Sequence, residues 1–286
     1  MIIDFHVHVF PPKIRDNIEE YFRAEPFFRH LYESPRAHLA TAEDVIASMD
    51  AGGIDRSVIL NFGWTSQDLC RETNDYILEA AARYPDRLVP FCSVQPLAGQ
   101  AAADEVRRCA RQGARGIGEL NPDGQGFALD NAEIVRPLVE AMMAEGLIFQ
   151  SHSSEPVGHL YRGKGQTTPD IVYRFIQSFP ELTMVFCHWG GGLPFYALMP
   201  EVEKAMDRVY FDTAASPYLY RDQVYYHVAG IIGAEKVLFG SDYPLLDQAR
   251  FVKRIQGLEL AAGDKLKILG ENAARLLGLV QPHEAS

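Results

Sequence analysis

Two hydrophobic periods alternate along almost the whole of this chain. Short apolar runs at 3–9, 57–62, 88–93, 116–120, 147–151, 183–187, 209–213 and 236–240 read as strands. Between them, apolar residues at three- and four-residue spacing predict helices over about 41–52, 67–84, 101–112, 131–145, 169–179, 193–206 and 223–232, with further helix towards 279. Most of the strands are apolar without alternation, as expected when both faces are covered. The first is different: Asp4, His6 and His8 fall at every second place, so an extended chain turns them to one face and Ile3, Phe5, Val7 and Val9 to the other.

The boundaries carry their own chemistry. Thr41-Ala-Glu-Asp44 is a helix start and Gly52-Gly53 a helix stop. By contrast 11–40 is a long connection rich in aromatics, including Tyr21, Phe22, Phe27, Phe28 and Tyr32, and reads as a lid or a substrate-binding excursion. Its His30 and His38 read as surface polar residues, and His227, within a predicted helix, and His283, in the C-terminal tail, are not placed for catalysis.

Eight strand-helix units of about thirty residues, with no linker or composition shift between halves, argue for one α/β domain spanning 1–286, a (β/α)8 TIM barrel. An open doubly wound sheet would call for a glycine-rich phosphate loop after the first strand, and none is written there.

Composition narrows the function. A hydrophobic share of 47% is enough for a large core, and the net charge of -11 speaks against a nucleic-acid surface, which needs clustered Lys and Arg. Cys70, Cys92, Cys109 and Cys187 are scattered without C-x-x-C spacing and read as reduced, buried thiols in a cytoplasmic protein. No run approaches the roughly 18 apolar residues of a membrane span, and no basic leader opens the chain, so a soluble, unprocessed protein is expected. A small-molecule substrate is the expected partner, and a homo-oligomer is left open.

In a barrel of this kind chemistry stands at the C-terminal strand ends. Those positions carry His6 and His8, Glu119, His152, His188, Asp212 and Asp242. Each taken singly has an ordinary structural reading, as a capped turn or a hydrogen-bonded rim residue. Together they suit a divalent ion such as zinc, held by neutral imidazoles and one or two carboxylates with a place left for water. Asp242 is the candidate base for that water, and Asp4 and Asp212 are candidate supports.

These residues sit in motifs: Asp4-Phe-His6-Val-His8, Gln150-Ser-His152, Cys187-His188-Trp-Gly-Gly191 and Phe239-Gly-Ser-Asp242-Tyr-Pro244. The chain thereby resembles the amidohydrolase superfamily, and within it the amidohydrolase-2 branch that contains aminocarboxymuconate semialdehyde decarboxylase. The resemblance implies His6, His8, His152 and Asp242 as metal ligands, with His188 orienting water or polarising the reacting carbonyl. Glu119 departs from the decarboxylase pattern and is similar to the strand-end glutamate of TatD-type hydrolases, which implies a fifth ligand or a bridge to a second ion.

The expectation drawn from site and resemblance together is a metal-dependent hydrolase of a small lactone, ester or amide, with Asp242 and His188 handling protons. A metal-dependent non-oxidative decarboxylase of an aromatic or muconate acid is the first alternative, and a metal-free binding or regulatory barrel the second. Arg162, Trp189 and Tyr243 are weaker candidates for substrate contact: Arg162 for a carboxylate, the two rings for a pocket wall.

Overall fold

The computed structural model describes residues 1–279; His283 lies outside them. Among the described residues the strands are β1 (Ile3–His8), β2 (Arg56–Leu60), β3 (Leu88–Cys92), β4 (Gly116–Leu120), β5 (Ile148–Ser151), β6 (Met184–Phe186), β7 (Val209–Asp212) and β8 (Val237–Leu238). They form one parallel eight-stranded sheet in sequence order. The segment after β8 returns to β1 through Phe5 N to Phe239 O (2.7 Å), Asp242 N to His6 O (2.9 Å) and His8 N to Tyr243 O (2.8 Å). That ladder closes the (β/α)8 barrel and puts Asp242 beside the β1 histidines.

The lumen is filled by Ile3, Phe5, Val58, Leu60, Val89, Phe91, Ile148, Val185 and Leu238, all buried in one cluster. Phe5 meets Phe91 edge-on at 5.5 Å, and a Cβ on Gly116 would collide with the Phe91 ring, so β4 must start with glycine. Val7 and Val9 pack instead with Val45 and Met49 of the helix Ala42–Gly52.

The simple alternation expected of β1 therefore fails in its first half. Its register against β2 shifts between Asp4 and Val7, so Phe5 and His6 both look inward. Asp4 turns instead to Gln248 Nε2 (2.7 Å), from the helix Gln248–Gln256.

Two more expectations change. The connection 11–40 contains the helices Pro12–Asp16, Ile18–Ala24 and Pro26–Tyr32, pinned by Phe10, Phe22, Phe28, Phe62 and Trp64. Buried Glu25 ties it to the β2 side by accepting from Thr65 N (3.1 Å), Thr65 Oγ1 and Ser66 N (3.3 Å). The helix expected over 193–206 is instead an irregular 3-10 stretch, His188–Leu198, followed by a short helix, Pro200–Ala205. Glycines 190–192 and Pro194 supply a break that apolar periodicity does not register.

All four cysteines are free and buried. Among the described residues no helix is long and apolar enough to cross a membrane.

Candidate metal centre

Polar side chains at or just past the ends of five strands converge at the barrel mouth. His6 and His8 come from β1, Glu119 from β4, His152 and His188 from the residues just past β5 and β6, and Asp242 from the turn after β8. The turn carrying His188 is left-handed for five residues, with φ 56° at His188, 60° at Trp189 and 61° at Gly191. A Cβ on Gly191 would collide with the Ser154 carbonyl, so the chain can pass there only as glycine. Asp242 also has positive φ, 65°, and is held by its amide on His6 O.

The donor atoms form two groups joined by Glu119. In the first, His6 Nε2 and His8 Nε2 are 3.1 Å apart. Glu119 Oε2 lies 3.6 and 3.4 Å from them, and Asp242 Oδ1 is 3.6 Å from each. In the second, Glu119 Oε1 lies 3.1 Å from His152 Nδ1 and 3.4 Å from His188 Nε2. His152 thus stands with His188 on the far oxygen of Glu119, while His6 and His8 share the near one.

Hydrogen bonds behind the rings fix which nitrogens face the cavity. His6 Nδ1–H donates to Asp212 Oδ2 at 2.8 Å, and His188 Nδ1–H to Ala214 O at 3.1 Å, which leaves both Nε2 atoms with lone pairs turned to Glu119 and Asp242. Asp212 Oδ1 also takes the backbone N–H of His188 (2.9 Å) and of Ala214 (3.0 Å), so one carboxylate at the end of β7 sets both imidazoles. Asp4 Oδ1 accepts from Ser241 N (2.9 Å), next to Asp242, and from His6 N (3.2 Å).

The surrounding carboxylates strongly favour positive charge at this floor, whether on a ring proton or on an ion taking its place. Burial works against a charge on His6, but the carboxylates of Asp212, Glu119 and Asp242 outweigh it and push the group up to about 10. Burial likewise opposes the His188 cation, and Glu119 and Asp242 push it up to about 9. Glu119 is driven well below the usual carboxylate range, its burial outweighed by His6, His152, His188 and His8. Burial lifts Asp4 to about 6 against its hydrogen bonds.

The centre is therefore a buried sink for positive charge, and the residues fit a metal ion. Donors on one ion about 2.1 Å away stand about 3.0–3.4 Å apart, close to the 3.1–3.6 Å found in the first group.

A cavity of about 550 Å³ opens above this floor. Its walls include Leu31, Tyr32, Phe62, Leu219 and Leu245, with Arg36, His38, His159 and Arg162 also facing in. Of the weaker candidates, Arg162 reaches the cavity but is bound to His30 O (2.8 Å) and faces Glu33 at 3.4 Å, so it ties the loop after β5 to the 11–40 segment.

Trp189 is no pocket wall. It is fully buried, donates Nε1–H to Ser216 Oγ (2.6 Å) and packs edge-on to Tyr225, because the left-handed turn points successive side chains in different directions. Tyr243 is also outside this cavity: it lines a separate groove with Arg15, Asp44 and Ser48, its peptide being held on β1 with the ring turned away. Trp64 packs under the 11–40 segment.

Tyr32 and Arg36 went unread as site residues in the sequence. The signal available was the aromatic density after the first strand, which says that a segment packs on the mouth but not which side chains enter it.

A family model described as amidohydrolase matches residues 3–279. The chain is 23% identical to a gamma-resorcylate decarboxylase of Polaromonas sp. (strain JS666 / ATCC BAA-500) over 259 residues, 75% of this chain and 77% of that one. It is 25% identical over 244 residues to a 2-amino-3-carboxymuconate-6-semialdehyde decarboxylase of Dictyostelium discoideum, 74% of this chain and 67% of that one. A solved 5-carboxyvanillate decarboxylase from Novosphingobium aromaticivorans, with bound manganese and 3-methoxy-4-hydroxy-5-nitrobenzoic acid, superposes with a TM-score of 0.82 at 21% identity, covering 97% of each chain.

These relatives overturn the expectation of a hydrolase acting on a lactone, ester or amide. The donor set could not have settled the matter, because an ion that activates water can equally hold the oxygens of an acid. Zinc, too, finds no support in these relatives.

Proposed function

This chain belongs to the amidohydrolase family, and from that premise we propose that it is a metal-dependent, non-oxidative decarboxylase of a small aromatic or muconate acid. The observation that carries the reading is the convergence of His6 Nε2, His8 Nε2, Glu119 Oε2 and Asp242 Oδ1 on the floor of a cavity with apolar walls. Those residues would hold one divalent ion, manganese being the first choice. The Glu119 carboxylate would bridge to a second ion on His152 and His188. His188 is then a ligand, and the proton work falls to Asp242.

A divalent ion there would draw electron density from the substrate oxygens as carbon dioxide leaves. The chain's own residues do the rest. Leu31, Phe62, Leu219 and Leu245 sandwich the substrate's carbon skeleton and thin out water. The second oxygen of Asp242 makes no hydrogen bond among the described residues, and the residue lines the cavity, so it can take the proton of the entering acid and hand it on. When the ring-to-carboxylate bond breaks, its electron pair stays on carbon and takes that proton, so acid in equals carbon dioxide plus protonated product out. Asp212 keeps His6 and His188 in the tautomer that faces the ions. The 11–40 segment covers the bound substrate.

The test is to load the purified chain with manganese or zinc, count ions by mass spectrometry, and follow carbon dioxide release from 2,6-dihydroxybenzoate, 5-carboxyvanillate and aminocarboxymuconate semialdehyde. Two ions per chain and release from at least one acid are expected. No release from any of them with either ion bound would overturn the reaction, and a single ion would overturn the bridge.

A further inference from the structure

Beneath the donor atoms the barrel lumen holds an amide where an apolar side chain would be expected. Along β5, Ile148 fills the lumen and Phe149 packs outward on Phe175, so the strand's alternation turns Gln150 inward. Gln150 is fully buried opposite Val185 of β6, and a Cβ on Gly118 of β4 would collide with it. Its two ends are matched differently. Nε2 lies 3.2 Å from Asp212 Oδ2 and 3.4 Å from Phe5 O, both acceptors only, and 3.5 Å from Cys187 Sγ, which puts the amide nitrogen on that side. Oε1 is buried and meets no donor among the described residues.

Stability is a poor account of such an amide. A buried carbonyl without a donor offsets what the N–H bonds contribute, in a lumen otherwise filled by Ile148, Val185 and Leu238. What the amide holds is one oxygen. Asp212 Oδ2 is the atom that accepts His6 Nδ1–H at 2.8 Å, while Oδ1 takes the backbone amides of His188 and Ala214. With Oδ1 fastened by two amides and Oδ2 by an imidazole and Gln150, the carboxylate is held from both sides. The direction of His6 Nε2, 3.1 Å from His8 Nε2, follows from it.

We propose that Gln150 is a positioning residue for the metal centre, acting through Asp212 to keep His6 Nε2 aimed at the ion. This rests on His6 being a metal ligand and is independent of which reaction follows.

Gln150→Met, close in length and volume but without the donor, tests it by manganese calorimetry and by melting of the metal-free protein. The melting temperature should stay within a few degrees of the parent, while the manganese dissociation constant rises by about tenfold. Gln150→Leu, a donorless side chain of another shape, should show the same loss. Asp212→Asn should weaken binding by about 10–100-fold, and adding Gln150→Met to it should cost less than about threefold more, because the route is already cut. The visible bands of the cobalt-loaded protein should shift in Gln150→Met, as they would not if the amide only filled space.

An unchanged dissociation constant in both donorless variants overturns the proposal. So does a loss in Gln150→Met that adds in full to that of Asp212→Asn, since the effect would then bypass Asp212. No manganese bound by the unaltered protein would overturn the metal centre and this role together, whereas equal affinity in parent and variants sinks the role of Gln150 alone.

Discussion

Two clusters of buried polar side chains stand at the same end of this barrel and are wired in opposite ways. Over β2 and β3, Asn61 Nδ2 donates to Thr73 Oγ1 (2.7 Å) and Asn74 Oδ1 (2.7 Å). Asn74 Nδ2 donates to Ser93 O (2.8 Å) and Glu105 Oε1 (2.8 Å), and Ser93 N returns a bond to Asn74 Oδ1 (2.8 Å). Gln125 Nε2 closes the set on Val94 O (2.8 Å) and Trp64 O (3.0 Å). Donor meets acceptor at each of these contacts, and the network fastens loops to strands.

On the other side of the mouth, His6, His8, Glu119 and Asp242 turn lone pairs and negative charge towards one another. That arrangement is costly until a cation enters it. Buried polarity by itself therefore says little about function in this molecule; the direction of the lone pairs separates a brace from a centre.

The contrast is most exposed at Asp242. Asp242→Asn keeps the shape but removes the carboxylate that would relay the proton, so activity should fall by about 10²–10⁴-fold while the thermal midpoint of the metal-free protein stays within a few degrees. Steady-state rates and a melting curve read the two arms; activity within tenfold of the parent would mean that another group carries the proton.

Asn74→Ala asks the converse of the brace. It strands the Ser93 amide and carbonyl and one face of Glu105, so unfolding free energy should drop by about 2–4 kcal/mol. Metal content per folded chain should be unchanged. Denaturant titration with metal analysis checks both, and lost metal at full stability would erase the distinction drawn here.

The smallest effect is a pH dependence in the brace. Burial raises the Glu105 group, but Arg108 (2.7 Å) and Asn74 outweigh it and hold the carboxyl below its ordinary value. A depressed carboxyl stabilises the fold above its unfolded value, about 4.3, and that stability fades as pH falls through the lower folded one. In Glu105→Gln the loss of stability between about pH 5 and pH 3 should be shallower than in the parent, as acid titrations of the melting temperature would record. An identical slope would show that Glu105 gains nothing from its partners.

Much of this was legible in advance because it is periodic. Eight apolar runs alternating with helical spacing foretold the barrel, and reading its strand ends picked out His6, His8, Glu119, His152, His188 and Asp242, which the structure gathers in one cluster, all but the fully buried His6 lining the cavity. What could not be read was how they divide. Linear order gives no reason for His152 to join His188 on one oxygen of Glu119 while His6 and His8 take the other. Nor does adjacency to a candidate donor predict direction: Trp189 follows His188 and Tyr243 follows Asp242, yet both rings leave the cavity, because left-handed backbone at His188, Trp189 and Asp242 breaks the regular rotation of side chains. The expectation of a hydrolase failed for a different reason, since one such donor set can serve water attack or carbon dioxide loss equally.

The sequence by itself determined the barrel and its polar strand ends, since both follow from local spacing of apolar and polar residues, which sets the faces that must be buried. Only the tertiary structure decided which lone pairs converge and which part of 11–40 enters the cavity. Those depend on register shifts, a left-handed turn and the closure of β8 onto β1, where residues more than two hundred positions apart meet within a hydrogen bond's length.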